Sequence, residues 1–181
     1  MSRPLLPPPT CSAVHGRLGA LLGHLDTRGL VGQRIFVTGG TGFFGYWLLS
    51  LFDLLHGQGL DLKVCVLSRQ PASFLATAPF FAHAPWLDWL HGDIKDFGAL
   101  PPADLLIHAA TDTDAAAHRH PLAIMDDILL GTRHTLNRAR EGGVRRAVYV
   151  SSGAVYGRQP NDVEHIPEDA AFACDASHPG S

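Results

Sequence analysis

The sequence predicts an α/β fold built on a doubly wound parallel sheet, and three observations predict it. Short apolar runs typical of buried strands alternate along the chain with longer segments of helical character. The crossovers between these runs are long enough to join parallel strands. With 181 residues, 46% of them hydrophobic, the chain can bury one substantial core.

Five short segments have the apolar or β-branched character of strands. They lie at residues 34–38, 62–67, 86–90, 104–108 and 146–150. The first of these strands leads directly into a glycine-rich turn. Parallel pairing of all five strands is expected because a helix or long crossover lies between each strand and the next.

Four helical segments complete the pattern. Apolar residues recur at helical spacing over residues 12–27, which predicts a short amphipathic helix packed on the main domain or on a partner. Residues 43–56 are apolar and proline-free, as in a crossover helix. Internal prolines predict a broken helix over 72–85, and a proline in the first turn predicts a long helix over 121–141.

Composition excludes several classes of function. The 14 basic and 17 acidic residues give a net charge of −3, so no nucleic-acid partner is expected. No apolar run reaches the length of a membrane-spanning helix, so no membrane partner is expected. Cys11, Cys65 and Cys174 lack metal-type spacing, which indicates reduced thiols and a cytoplasmic location, and no metal site is predicted among the 11 histidines.

A glycine-rich turn carries the strongest chemical signal. Gly39, Gly42 and Gly45 have the spacing G-x-x-G-x-x-G between a predicted strand and a predicted helix. The first glycine allows the tight turn, the second lets backbone approach a pyrophosphate, and the third allows close packing of the helix. The phosphates would then meet free N–H groups at the positive end of the helix.

The run TGGTGFFG at 38–45 resembles the TGxxGxxG fingerprint of the extended short-chain dehydrogenase/reductases, the NAD-dependent epimerase/dehydratase family. Later motifs match in order, and the resemblance covers about residues 33–181. It implies a Rossmann fold that stops before its last strands and before the substrate domain. It also implies that Phe43 and Phe44 cover the phosphates of the cofactor. The alternative for Phe44 is that it packs the helix.

The resemblance also identifies further cofactor-binding residues. Asp93 and Ile94 match the family's Gly-Asp-Ile/Val element, in which the aspartate holds the adenine amino group. The segment HAAT at 108–111 matches the family's H-x-A-A-type segment, in which small residues let the cofactor lie on backbone and a threonine reaches a ribose hydroxyl. The cofactor-binding residues in that segment are Ala109, Ala110 and Thr111.

The identity of the dinucleotide depends on the end of the second strand. An acidic residue there favours NAD, because it accepts hydrogen bonds from the adenosine ribose. This sequence has Arg69 instead, and its guanidinium could pair with the 2′-phosphate of NADP. NAD(P) is therefore the expected cofactor, with NADP favoured over NAD. The alternative is that Arg69 is an ordinary surface arginine.

The segment SSGAVYG at 151–157 resembles the family's SSxxVYG motif. Ser152 matches the catalytic serine that donates a hydrogen bond to the substrate oxygen, and Tyr156 matches a substrate-side tyrosine. The family's acid/base pair, Tyr-x-x-x-Lys, is absent, because no tyrosine follows Tyr156 and no lysine follows Lys95. Ile128 also stands where the family often has an asparagine, three residues before Gly131.

Together these features predict three regions. Residues 1–32 form an extension with a short helix, residues 33–158 an NAD(P)-binding Rossmann domain, and residues 159–181 a polar loop that leads to the missing acid/base region. The expected function is that of an epimerase/dehydratase-type oxidoreductase acting on a nucleotide sugar or a similar hydroxyl or carbonyl substrate. The chain itself would be an inactive cofactor-binding fragment of a protein that could form homodimers. The alternative is a non-catalytic, dinucleotide-binding regulatory or degenerate protein.

Overall fold

The computed structural model describes residues 11–111, 120–157 and 159–170. Its five strands form one parallel sheet in the order β3-β2-β1-β4-β5. Their bounds are β1 Gln33–Thr38, β2 Leu62–Ser68, β3 Leu87–His91, β4 Leu105–His108 and β5 Arg146–Tyr149. The predicted doubly wound parallel sheet is therefore confirmed, and each predicted strand falls within one or two residues of an observed one.

The helices also follow the prediction closely. Their bounds are α1 Cys11–Leu22, α2 Phe43–Gly57, α3 Pro71–Thr77, α4 Pro121–Asp126 and α5 Thr132–Glu141. The predicted break in the third helical segment is confirmed, since α3 is followed by a 3-10 helix over Pro79–His83. Proline has no N–H and clashes with the preceding turn, so the α-helix stops before Pro79.

The predicted first helix over 12–27 is wrong at its C-terminal end, because α1 stops at Leu22. Beyond it, the Asp26 carboxylate accepts hydrogen bonds from the backbone N–H of Arg28 (3.1 Å) and from its guanidinium (2.8 and 2.7 Å). A short polar side chain that captures a nearby backbone N–H offers the chain an alternative to helix. The segment instead continues as a 3-10 helix over Arg28–Leu30.

Both faces of β1 are buried over its last four residues, and successive residues of this strand point to opposite sides of the sheet. Ile35 and Val37 belong to a core cluster with α1 and α2, whereas Phe36 belongs to a second cluster with Ala139 of α5. Val14 of α1 is completely buried in the first cluster. The helix predicted near the N-terminus therefore packs on the sheet domain, against α2.

The long helix predicted over 121–141 is interrupted by one π-helical turn, Asp127–Gly131, between α4 and α5. Gly131 is buried there, and a Cβ at this position would lie 2.5 Å from Cδ1 of Ile94. The glycine therefore lets the helix approach the loop that follows β3. π-Helical turns are uncommon and occur frequently at functional sites.

By compactness the chain divides into two units, Met1–Tyr149 and Val150–Ser181. The sheet and the five α-helices lie in the first unit. In the described part of the second unit, a 3-10 helix over Gly153–Tyr156 is followed by turns.

Candidate cofactor site

The strand order places a topological switch point between β1 and β4. The chain runs outward from β1 through β2 to β3, then returns to the other side of β1 to form β4 and β5. In open α/β sheets, ligands bind in the crevice outside the carboxyl ends of the strands at this point. Thr38 and His108 are paired in register at the ends of β1 and β4, so the residues that follow them border this crevice.

Gly39 forms the first wall of the crevice. Its φ of +76° lies in the left-handed region, which side chains disfavour. A Cβ at this position would also overlap the carbonyl of Ala109, so the two backbones touch across the switch point. No other residue type fits here without displacing the end of β4.

Gly42 and Gly45 shape the start of α2. Gly42 is exposed, donates its N–H to the carbonyl of Gly39 (3.0 Å) and precedes the helix, whose first turn has no side-chain cap. The N–H groups of an uncapped first turn lack partners within the helix and attract anions. A Cβ at Gly45 would overlap the backbone of Gly40, so this glycine allows the helix to pack on the turn itself.

Phe43 and Phe44 lie at the mouth of this turn and do not pack into the core. Their side chains are 72% and 63% exposed, and their rings meet edge to face at 5.6 Å. Phe43 also lies near Trp47, with 6.5 Å between ring centroids. The exposure of Phe44 does not support the alternative that its side chain packs the helix.

Arg69 lies at the end of β2 and lines an open cavity of about 580 Å³ together with His91, Gly92, Asp93, Asp96, Phe97 and Gly98. Its side chain is exposed, and it forms no ion pair with any residue of the described ranges. His91 was not predicted from the sequence. It pairs in register with Ser68, one residue before Arg69, so strand pairing alone would have placed it here.

Asp93 begins the turn after β3. Its Oδ1 accepts the backbone N–H of Lys95 (2.9 Å), and its carbonyl accepts the N–H groups of Asp96 and Phe97. The carboxylate is thus held in place at the cavity wall by its own turn. Ile94 is half-buried in the second core cluster, so its side chain packs while its backbone follows Asp93.

Lys95 leads from this turn to the π-helical turn. Its ammonium forms an ion pair with the Asp127 carboxylate, with 2.6 Å between Nζ and Oδ1. Hydrogen bonding to Asp127 raises the pKa of Lys95, whereas partial burial opposes the shift. This contact was not predicted, because the partners are 32 residues apart and neither belongs to a recognised motif.

Ala109 and Ala110 continue from β4 along the crevice, and both are half-buried. The N–H of Ala109 donates to the carbonyl of Thr38 (3.1 Å), which extends the pairing of β1 and β4 by one bond. Thr111 follows and is exposed. The first unit therefore brings Gly39, Gly42, Ala109 and Ala110 together at the switch point, with Arg69 and Asp93 on the cavity beyond β2.

Ser152 and Tyr156 lie in the second compact unit. Ser152 is exposed, and its carbonyl accepts the N–H of Val155 (3.2 Å) at the start of the 3-10 helix. Tyr156 ends that helix and is half-buried.

Three further observations concern other kinds of site. In the described ranges, no group of His, Cys, Asp and Glu side chains could hold a metal ion. None of the helices described is long and apolar enough to cross a bilayer. Burial, with a smaller contribution from Asp88, raises the pKa of the Cys65 thiol to about 11, so this thiol is un-ionised at neutral pH.

Comparisons with known proteins identify the class. The model of the NAD dependent epimerase/dehydratase family matches residues 35–177, and the chain belongs to that family. A putative dihydroflavonol 4-reductase of Synechocystis is 31% identical over 125 residues, which are 67% of this chain and 33% of that protein. The chain thus spans about a third of the length of this curated relative.

Two solved structures are similar to this chain in fold. A dTDP-glucose 4,6-dehydratase from Streptomyces venezuelae, solved with NAD bound, is 29% identical with a TM-score of 0.60, over 70% of this chain and 42% of that one. A UDP-N-acetylglucosamine 4-epimerase from Methanobrevibacter ruminantium has a TM-score of 0.66 at 21% identity, over 80% and 45% of the two chains. The latter supports the fold alone.

Proposed function

We propose that the chain binds a nicotinamide dinucleotide in the crevice between β1 and β4, as the cofactor-binding part of an oxidoreductase. The observation that carries the proposal is the glycine turn at the switch point. Gly39 closes against Ala109, Gly42 is exposed, and the uncapped N-terminus of α2 follows it directly. This arrangement fits a pyrophosphate, because backbone N–H groups and the helix dipole both stabilise negative charge there.

The adenosine end of the cofactor would lie toward the cavity beyond β2. Asp93 would accept a hydrogen bond from the adenine amino group, and Arg69 would pair with a 2′-phosphate. The exposed guanidinium without an ion-pair partner in the described ranges supports NADP over NAD. Ala109, Ala110 and Thr111 would line the path toward the nicotinamide ribose. When bound, the dinucleotide would supply the hydride donor or acceptor.

For the whole protein we propose a nucleotide sugar, or a similar hydroxyl or carbonyl compound, as substrate. A related protein of known structure, the dTDP-glucose 4,6-dehydratase, acts on a nucleotide sugar by its name, whereas the similar Synechocystis protein is named as a reductase. Ser152 would donate a hydrogen bond to the reacting oxygen, where charge develops during hydride transfer, and Tyr156 would lie on the substrate side.

The 181-residue chain alone is proposed to bind the dinucleotide without catalysing a reaction. It contains no tyrosine after Tyr156 and no lysine after Lys95 to act as the acid/base pair. The same observation favours a second candidate, a non-catalytic protein that responds to dinucleotide. A Tyr-x-x-x-Lys encoded directly downstream in frame would favour the enzyme. Reduction of NADP⁺ by the purified chain with a nucleotide sugar would contradict the proposed inactivity.

The binding proposal is tested by titrating the chain with NADPH and with NADH, followed by nicotinamide fluorescence. Gly42→Ala adds a methyl group to the exposed turn, 3.3 Å from the carbonyl oxygen of Gly39, and the φ of −83° suits alanine. It should raise Kd about ten-fold or more. Gly57→Ala, at the other end of the same helix with no atom within 4 Å, is the matched control and should change Kd less than about two-fold. Equal binding by both variants would contradict the proposed location.

A further inference from the structure

A buried polar cluster lies beneath the crevice, formed by His108 of β4, Thr38 of β1 and Thr132 of α5. Nδ1 of His108 lies 2.6 Å from Oγ1 of Thr38, and Nε2 lies 3.0 Å from Oγ1 of Thr132. His108 is 2% exposed and Thr38 is fully buried. Both ring nitrogens are therefore hydrogen-bonded, and one imidazole joins three elements of the fold.

The buried surroundings of His108 favour the neutral imidazole. Burial lowers the pKa of His108 below its ordinary value, and no charged side chain contributes to that shift. The phenol ring of Tyr149 on β5 packs against the imidazole, with 5.6 Å between ring centroids. A neutral imidazole has one N–H and one lone pair, so one threonine hydroxyl must donate to it and the other must accept from it.

This cluster is directly linked to the crevice by the chain. Thr38 precedes Gly39, and His108 precedes Ala109, whose carbonyl touches Gly39. The N–H of Ala109 donates to the carbonyl of Thr38. A shift of the imidazole would therefore move both backbones that form the crevice floor. Such a shift is restrained from the far side by Thr132, at the first residue of α5.

We propose that His108 is a positioning residue for the dinucleotide, which fixes the spacing of the Gly39 and Ala109 backbones by bridging the hydroxyls of Thr38 and Thr132. The inference rests on the proposed cofactor binding at this crevice. His108 does not touch the cofactor in this account; it acts through the two strand ends. Loss of either hydroxyl leaves one ring nitrogen buried without a partner and lets the strand ends separate.

The chain offers a closely matched test within one helix. Thr132→Val removes the hydroxyl that bonds to His108. Thr135→Val, three residues later, removes an equally isosteric hydroxyl that is fully buried and has no hydrogen-bond partner in the described part of the structure. Both variants keep the contact of His134 Nε2 with the carbonyl of Phe97 (2.8 Å), which also anchors α5. Only Thr132→Val removes a partner of the imidazole; Thr132 is half-buried, whereas Thr135 is fully buried.

The experiment measures Kd for NADPH and NADH by fluorescence titration of the full chain and its variants, with melting temperatures recorded in parallel. Thr132→Val should raise Kd about three- to ten-fold, Thr135→Val should change it less than about two-fold, and Thr132→Ser should restore wild-type affinity. Hydrogen exchange in the peptide containing Gly39 should increase in Thr132→Val alone.

The outcomes separate the two proposals. Failure of the wild-type chain to bind either dinucleotide would overturn the proposed function. Wild-type binding with equal Kd values for Thr132→Val and Thr135→Val would overturn the positioning role alone. A fall in melting temperature of Thr132→Val with unchanged Kd would also overturn it, because the cluster would then serve stability and not the cofactor.

Discussion

At the residue level, Arg69 is the side chain that we propose distinguishes NADP from NAD in the cavity beyond β2. Its guanidinium is exposed beside His91, and the carboxylates of Asp93 and Asp96 line the same cavity. A guanidinium can donate two parallel hydrogen bonds to a phosphate. NADP has a 2′-phosphate that can accept them, whereas NAD has none. The charge of this one side chain therefore has different consequences for the two cofactors.

Arg69→Glu should raise Kd for NADPH about ten- to hundred-fold, because it replaces attraction to the 2′-phosphate by repulsion. Kd for NADH should change less than about three-fold. Calorimetric titration with both cofactors measures the two values. The control is Arg17→Glu, which makes the same charge change at an exposed position of α1. Equal losses of NADPH affinity in the two variants would contradict a direct phosphate contact.

Individual residues differ in how far the sequence could predict their place. Gly39, Gly42 and Asp93 could be located because each adjoins the end of a strand, and strand ends in a parallel sheet share one edge. The hydrogen bonds of His108 could not be predicted from the sequence. Their threonine partners are 70 and 24 residues away and are not marked by any sequence pattern. Long-range side-chain contacts of this kind require the packed fold.

At the scale of elements, β1 and the residue before β4 are joined by a close ion pair. Asp104 accepts the guanidinium of Arg34 at two atoms, each 2.9 Å from a carboxylate oxygen, and also the backbone N–H of Arg34 (3.1 Å). Hydrogen bonds from the Arg34 side chain, then from its backbone, hold the pKa of Asp104 well below its ordinary value. Folding therefore favours the ionised carboxylate.

The lowered pKa of Asp104 makes the stability of the fold depend on pH. The folded-state pKa lies below the unfolded-state pKa of about 3.9, so the stabilisation is complete above about pH 4 and is lost as the pH falls further. Asp104→Asn should lower the melting temperature at pH 7, and the difference from the wild type should shrink in acid. Thermal unfolding of the variant and the wild type, from pH 7 down into acid, measures this difference in melting temperature.

Glu141→Gln provides the control, since it removes a carboxylate from the exposed ion pair with Arg138. Surface pairs contribute little, so its melting temperature should change by less than about 2 °C. If the melting temperatures of Asp104→Asn and the wild type differ by the same amount down to pH 2, the ion pair is not the source of the stabilisation.

Element boundaries were predictable where proline, glycine or a change of periodicity marked them. α2 was placed to within one residue because a glycine turn precedes it and an uninterrupted apolar pattern follows. The C-terminal end of α1 was predicted five residues too late, because the apolar spacing continues to Leu25 whereas the helix stops at Leu22. The π-helical turn was not predicted, since one extra residue per turn leaves no clear mark on an apolar pattern.

At the scale of the whole molecule, the order of the strands explains why one edge of the sheet collects the candidate residues. The reversal at β1 places the glycine turn and the residues after β4 side by side, while β2 and β3 add Arg69 and Asp93 farther along the same edge. The family membership and the sheet could be anticipated from short motifs in the correct order. The substrate could not, because the chain covers only about a third to under half of its relatives.

Binding of a dinucleotide along this edge of the sheet can be measured residue by residue through amide chemical-shift mapping by NMR. Addition of NADPH to the isotopically labelled chain should shift the resonances of Gly39, Gly42, Arg69, Asp93 and Ala109 in a saturable manner. Amides at the opposite edge, such as Gln33 and Leu62 at the beginnings of β1 and β2, should not move. Saturable shifts at the beginnings of the strands, with none at the glycine turn, would contradict dinucleotide binding at the carboxyl ends of the strands.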